Sequence, residues 1–187
     1  MATSNYPCRK SFQRGALLIA ALFLVFAGCA AEKKQFDESI KGAQVIVEPD
    51  TLHLGVVRML TKDIAFRGRG FTPGEGYCVY LRGDEEHTRS VDVPICCGVV
   101  DEKGGFDDKA KTLVKADYLL NADFTTGKKG YLVIINKPPV PEGKYLAVAT
   151  GFDSKTEAQT GVIIEGPTLK DHVMDWVGQL MGKVKKE

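Results

Sequence analysis

Three cysteines, two acidic runs and three histidines are the residues here with chemistry to offer. Cys78, Cys96 and Cys97 fall close together, and thiols pair as disulfides where the compartment is oxidising. The adjacent Cys96-Cys97 is not a Cys-x-x-Cys motif, and His53, His87 and His172 have no ligand spacing relative to it. Asp84-Glu85-Glu86-His87 offers carboxylates to a hard cation, as do Asp101, Asp107 and Asp108 around Gly104-Gly105. Neither run has the spacing of an EF-hand loop, and solvated charged turns account for both. No serine lies in a nucleophile elbow, no glycine-rich phosphate loop follows a strand, and no His-Glu-x-x-His occurs. The expectation is a non-enzyme with no metal and no cofactor. An accessory envelope enzyme using a thiol or a metal site is the alternative.

Two further cysteines, Cys8 and Cys29, precede the domain. Arg9, Lys10 and Arg14 form a positive region, and Ala16 to Ala27 is a continuous apolar run of 12 residues closed by Ala27 and Gly28. This is the tripartite pattern of a secretory signal. The run is short of the roughly 20 apolar residues a spanning helix needs. Its end, Phe26-Ala27-Gly28-Cys29, resembles the lipobox of bacterial lipoproteins, with Phe26 where the family prefers Leu. The resemblance implies cleavage between Gly28 and Cys29, a diacylglyceryl group on the Cys29 thiol, and acylation of the new N-terminus, palmitate included. The partner implied is a membrane, held through lipid and not crossed. Ala30 and Ala31 follow the cysteine, where inner-membrane retention in the lipoproteins it resembles usually needs Asp. That implies a lipid-anchored place in the bacterial cell envelope, at the outer membrane, facing the periplasm or exterior.

Removing 28 of the 187 residues leaves 159, enough for one domain of ordinary size. The leader takes three of the 25 basic residues, leaving 22 against 24 acidic ones, a net of −2. No basic block lies beside stacking aromatics, so no nucleic-acid partner is expected. An envelope protein or a glycan is the partner class left open.

The elements that must position these residues divide as follows: a signal over 1–28, a lipidated N-terminus and polar tether over 29–42, a β domain over 43–166, and a helix over 167–187. Within 43–166, short apolar runs are cut by turn residues. They are Val45–Val47, Ile64–Phe66, Tyr77–Leu81, Val91–Val99, Tyr131–Ile135, Tyr145–Ala149 and Gly161–Ile164. Such spacing predicts an all-β sandwich. Lys109 to Asn121 fits either a helical turn or a strand with a loop. Glu48-Pro49, Phe71-Thr72-Pro73-Gly74-Glu75, Asp101 through Gly105-Phe106, and Pro141-Glu142-Gly143-Lys144-Tyr145 resemble the landmarks of bacterial immunoglobulin-like domains, IPT/TIG-like modules among them. That resemblance implies an immunoglobulin-like β-sandwich and is nearly silent on function. A binding module is expected to expose an apolar patch on a sheet face; an enzyme should show a concave pocket with converging titratable groups.

Thr168 is a candidate N-cap with Asp171 in the first turn. Leu169, Val173, Trp176, Val177, Leu180, Met181 and Val184 recur at helical spacing. The expectation is an amphipathic helix of about five turns whose apolar stripe packs on the sandwich. The alternative is a partner-binding or membrane-surface helix, against which Asp171 and Asp175 dilute the positive face.

A register completes the sequence reading. Pairing Tyr77–Arg82 antiparallel with Val91–Val99 puts Leu81 opposite Val93, Val79 opposite Ile95 and Tyr77 opposite Cys97 on the core face. Arg82 then faces Asp92, Tyr80 faces Pro94, and Cys78 faces Cys96. This predicts a Cys78–Cys96 disulfide with Cys97 a buried thiol. A slip of one residue gives the rival, Cys78–Cys97.

Overall fold

The computed structural model describes residues 34–83, 92–127 and 130–186. The expected signal, Gly28 and Cys29 fall outside these, as does Asp84-Glu85-Glu86-His87. Strands are β1 (Gln44–Glu48), β2 (Thr51–His53), β3 (Ala65–Arg69), β4 (Gly76–Gly83), β5 (Val93–Val99), β6 (Gly105–Lys109), β7 (Ala122–Gly127), β8 (Gly130–Ile135), β9 (Gly143–Gly151), β10 (Glu157–Glu165) and β11 (Val184–Lys186). Helices are α1 (Val56–Thr61), α2 (Thr112–Val114), continued by a π turn over Lys115–Leu119, and α3 (Leu169–Leu180). The ambiguous stretch before Asn121 is therefore helical. The chain is rich in β structure and carries a C-terminal helix, as expected.

The strands form three sheets: β1-β3-β6, β2-β10-β9-β4-β5 and β11-β8-β7. Alternation along β3, β4 and β10 turns Phe66, Tyr77, Val79, Leu81, Val162 and Ile164 into one core. The Tyr77 ring stacks on Phe106 at 3.9 Å between centroids, joining β4 to β6. Phe106 lies against Gly68, where a Cβ would run into the ring. The turn at Thr72-Pro73-Gly74-Glu75 closes with Glu75 N–H donating to the Thr72 carbonyl at 3.3 Å. Gly74 has φ +79°, which suits a type II turn with Pro second and Gly third.

Residues 34–42 lack regular structure, yet they are not a loose tether. Lys34 N–H donates to Glu48 Oε1 at 2.9 Å, and Arg67 donates back to the Lys34 carbonyl. The Gln44 side chain donates to the Asp37 and Ile40 carbonyls, while Arg69 lies over the Phe36 ring.

The disulfide differs from expectation. Cys78 is bonded to Cys97, and Cys96 carries the free thiol. The expected register holds where β4 and β5 begin to pair at Leu81–Val93 and Tyr80–Pro94, and Arg82 meets Asp92 at 2.9 Å. It then breaks. A bulge at Ile95 sets Val79 opposite Cys96 and Cys78 opposite Cys97, with Tyr77 opposite Gly98. One extra residue reverses the facing of everything beyond it. Cys97 therefore stands on the outer face beside Cys78, and Cys96 packs against the core.

The C-terminal segment differs too. α3 stops at Leu180, short of the expected five turns, because Gly182 takes φ +66° and turns the chain. Val184 to Lys186 then runs as β11, parallel to β8.

Candidate interaction surface

α3 begins as the sequence indicates. Thr168 Oγ1 accepts from the Asp171 N–H at 3.3 Å, and Asp171 Oδ2 accepts from the Thr168 N–H at 2.8 Å, forming a reciprocal capping box. Its orientation is the reverse of the expected one. Asp171, Asp175 and Gly178 are the buried residues of the helix. They recur at i, i+4 and i+7 and so share one face.

Each has a partner on α1. Asp175 accepts from the Val56 N–H at 3.0 Å and the Val57 N–H at 2.8 Å. These are orphan donors of the α1 N-terminus, whose N-cap Gly55 has no side chain to satisfy them. Asp171 Oδ1 meets Arg58 Nε at 2.7 Å. Burial alone would raise the Asp171 carboxyl, but the Thr168 hydroxyl and N–H, with Arg58 and His53, hold it below the usual aspartate value. Gly178 passes close enough that a Cβ there would lie 3.1 Å from Val184 and 3.2 Å from Val57.

Because the polar face is spent on docking, the apolar stripe points outward. Leu169 is 82% exposed, Leu180 68% and Trp176 58%, and Val173, Met174, Val177 and Met181 are exposed with them. This corrects the expectation that the stripe packs on the β domain. Contiguous exposed apolar faces are uncommon on the surfaces of monomeric proteins. Two grooves lie along the seam between α1 and α3 and share Val57, Thr61 and Met174. One, of about 560 Å³, is bounded by Pro49, His53, Arg58, Lys170 and Met174. The other, of about 410 Å³, is walled by Val57, Leu60, Val177, Met181 and Val184. His53 Nδ1 is buried without a hydrogen-bond partner and lies 3.5 Å from Glu165 Oε2.

The other sequence candidates do not converge on this surface. Asp101 Oδ1 accepts from the Lys103 and Gly105 N–H groups, both at 2.8 Å, which caps its turn. Asp108 accepts the Tyr77 hydroxyl. The Cys96 thiol is pushed up to about 12, first by burial and then by the charge of Asp108. A thiol so placed stays protonated and is a poor nucleophile. Among the described residues no three His, Cys, Asp or Glu side chains gather as a metal site, and no helix is long and apolar enough to cross a membrane.

A buried carboxylate elsewhere supports the scaffold. Glu75 accepts from the Ser154 N–H and hydroxyl, the Asp153 N–H and the Thr72 N–H, tying the β9–β10 turn to the start of β4. Its pKa is lowered, first by the Ser154 N–H. A depressed folded-state pKa gives stability that is present above the unfolded-state value and lost as pH falls through the folded one. Urea unfolding midpoints should therefore drop on acidification below about pH 4. The drop should be shallower in Glu75→Gln, which is less stable than the parent at neutral pH. An identical acid profile in that variant would show that Glu75 contributes no linkage.

No protein-family model matches the chain, and no curated protein matches it. Among solved structures, macromomycin is similar at 17% identity over 66% of this chain and 99% of its own, with a TM-score of 0.36. A likeness that slight carries no argument.

Proposed function

We propose that this protein is a cell-envelope lipoprotein, anchored through acyl chains on Cys29, with a non-catalytic binding or assembly role. The exposed apolar face of α3 is the observation that carries the role. Large exposed apolar surfaces are costly to keep in water unless something covers them. The anchor rests on the basic, apolar and Gly28-Cys29 sequence. The β domain reads as an immunoglobulin-like sandwich. Support comes from the β1-β3-β6 sheet and the five-stranded sheet sharing one core, and from the Pro73-Gly74 turn leading into β4. The protonated, half-hidden Cys96 lends nothing to a thiol enzyme.

Mass spectrometry of the membrane fraction tests the anchor. The mature chain should begin at Cys29 and carry the added mass of diacylglyceryl and an acyl group, and Cys29→Ser should abolish both the mass and the cleavage. A membrane-bound chain that begins elsewhere without lipid would refute the anchor.

A further inference from the structure

We infer that the outward face of α3 is a membrane-surface contact, and that its occupant is the phospholipid bilayer to which the chain is anchored. The inference rests on the reading of Cys29 as the lipid site for its geometry. Leu169, Val173, Trp176 and Leu180 form its apolar apex. A helix that lies in the interfacial plane presents such residues to the acyl boundary, with the amphipathic Trp ring at headgroup depth and lysines around it.

Acidic residues in the helix argue against a membrane only if they face it, and here they do not. Asp171 and Asp175 are 2% and 4% exposed, turned to Arg58 and the N-terminus of α1. Of the Lys, Arg, Asp and Glu residues of α3, Lys170 is the exposed one. The outward face of the helix is therefore apolar with a single lysine at its edge and no carboxylate, which an anionic lipid surface tolerates.

The length of the leading chain argues for the same occupant. Cys29 lies five residues before Lys34, a reach of about 18 Å at most when fully extended. Lys34 is pinned by its ion pair with Asp50 at 2.8 Å. Asp50 stands between Pro49 and Thr51, and both line the groove that Lys170 and Met174 border. With lipid on Cys29, the length of this chain keeps Lys34 within about 18 Å of the bilayer surface. A short tether of this kind makes a weak surface contact effectively intramolecular.

Trp176 is the only tryptophan in the chain, so its fluorescence reads this face alone. The full lipoprotein should be reconstituted in vesicles of phosphatidylcholine and phosphatidylglycerol, with brominated acyl chains in a parallel set. Brominated lipid should quench Trp176, and the bilayer should shield it from iodide. The Leu169→Gln/Leu180→Gln double variant changes only exposed positions. It should weaken docking by about tenfold or more for each leucine and lose most of the quenching, while unfolding at the parent's urea midpoint. Mass spectrometry on the same vesicles reads acylation separately. An acylated chain whose Trp176 stays open to iodide and unquenched would overturn the contact and leave the anchor standing. Quenching in a chain found unacylated would support the contact while the anchor reading fails. Shielding from iodide without bromine quenching would mean that a second copy or another protein covers the face, and would overturn the inference.

Discussion

Asp175→Ala should lower the stability of the domain by about 3 kcal/mol, more than any substitution on the apolar stripe of the same helix. The carboxylate accepts two backbone N–H groups of α1, at 3.0 and 2.8 Å, and is 4% exposed. Hydrogen bonds to a charged group contribute about 1.5–3 kcal/mol, and leaving a buried donor unsatisfied costs about 1–3 kcal/mol. Gly55 has no side chain to step in, and loss of a cap alone costs about 1 kcal/mol. Asp175→Asn keeps one acceptor oxygen and should lose roughly half as much. Leu180→Gln, at a position 68% exposed, should stay within about 0.5 kcal/mol of the parent. Urea unfolding followed by far-ultraviolet circular dichroism compares the three. Asp171→Ala should act in the same direction, but not additively with Asp175→Ala, because both carboxylates hold the one helix to α1. If Leu180→Gln proved as costly as Asp175→Ala, the stripe and not the acidic face would be what docks the helix.

That reversal shows where sequence reading stops. The helix, its Thr168 cap and its apolar period are all written in local spacing. Which face turns inward is decided by α1, and α1 is hard to see: six residues, opened by an uncapped glycine, with no acidic residue in its first turn. The rule that an apolar stripe faces the core fails here because Asp171 and Asp175 find Arg58 and two orphan amides. An i, i+4, i+7 row of Asp, Asp and Gly was the available signal, and it means docking only if a helix N-terminus lies opposite. The β domain was more legible. Its Pro73-Gly74 and Lys103-Gly104 turns sit where backbone geometry demands glycine, with φ near +79° and +77°. β2 and β11, three residues each, are too short to show a period, and both join their sheets as parallel edge strands that only tertiary pairing defines.

The β4–β5 register was half legible, and the illegible half makes a sharp prediction. Non-reducing peptide mapping, with cleavage between Cys96 and Cys97, should recover Cys78 joined to Cys97. The bridge closes a loop with a sequence separation of 19 residues, and its loss through Cys97→Ser should cost about 3 kcal/mol in urea unfolding. Within the β domain the variant leaves two thiols, Cys78 and Cys96, and they should not rescue each other. The bulge at Ile95 turns Cys96 inward opposite Val79, while Cys78 lies on the outer face of the same sheet. Pro94 has no N–H for the ladder, so the pairing is already interrupted beside Ile95, and a bulge there costs few hydrogen bonds. Straightening it to bring Cys96 opposite Cys78 would shift every residue from Cys96 to Val99 along β4. Cys97 would then take the place opposite Tyr77 that Gly98 now holds. A Cβ on Gly98 would already sit 2.8 Å from Asp108 and 3.1 Å from the Tyr77 ring. The glycine thus keeps the bulged register, and the Tyr77–Asp108 contact depends on it. In Cys97→Ser, Cys96 should also label slowly at neutral pH, its thiol being pushed up to about 12 by burial. A Cys78–Cys96 bridge forming in that variant with parental stability would show that the straight register is equally accessible and that Gly98 does not hold the bulge.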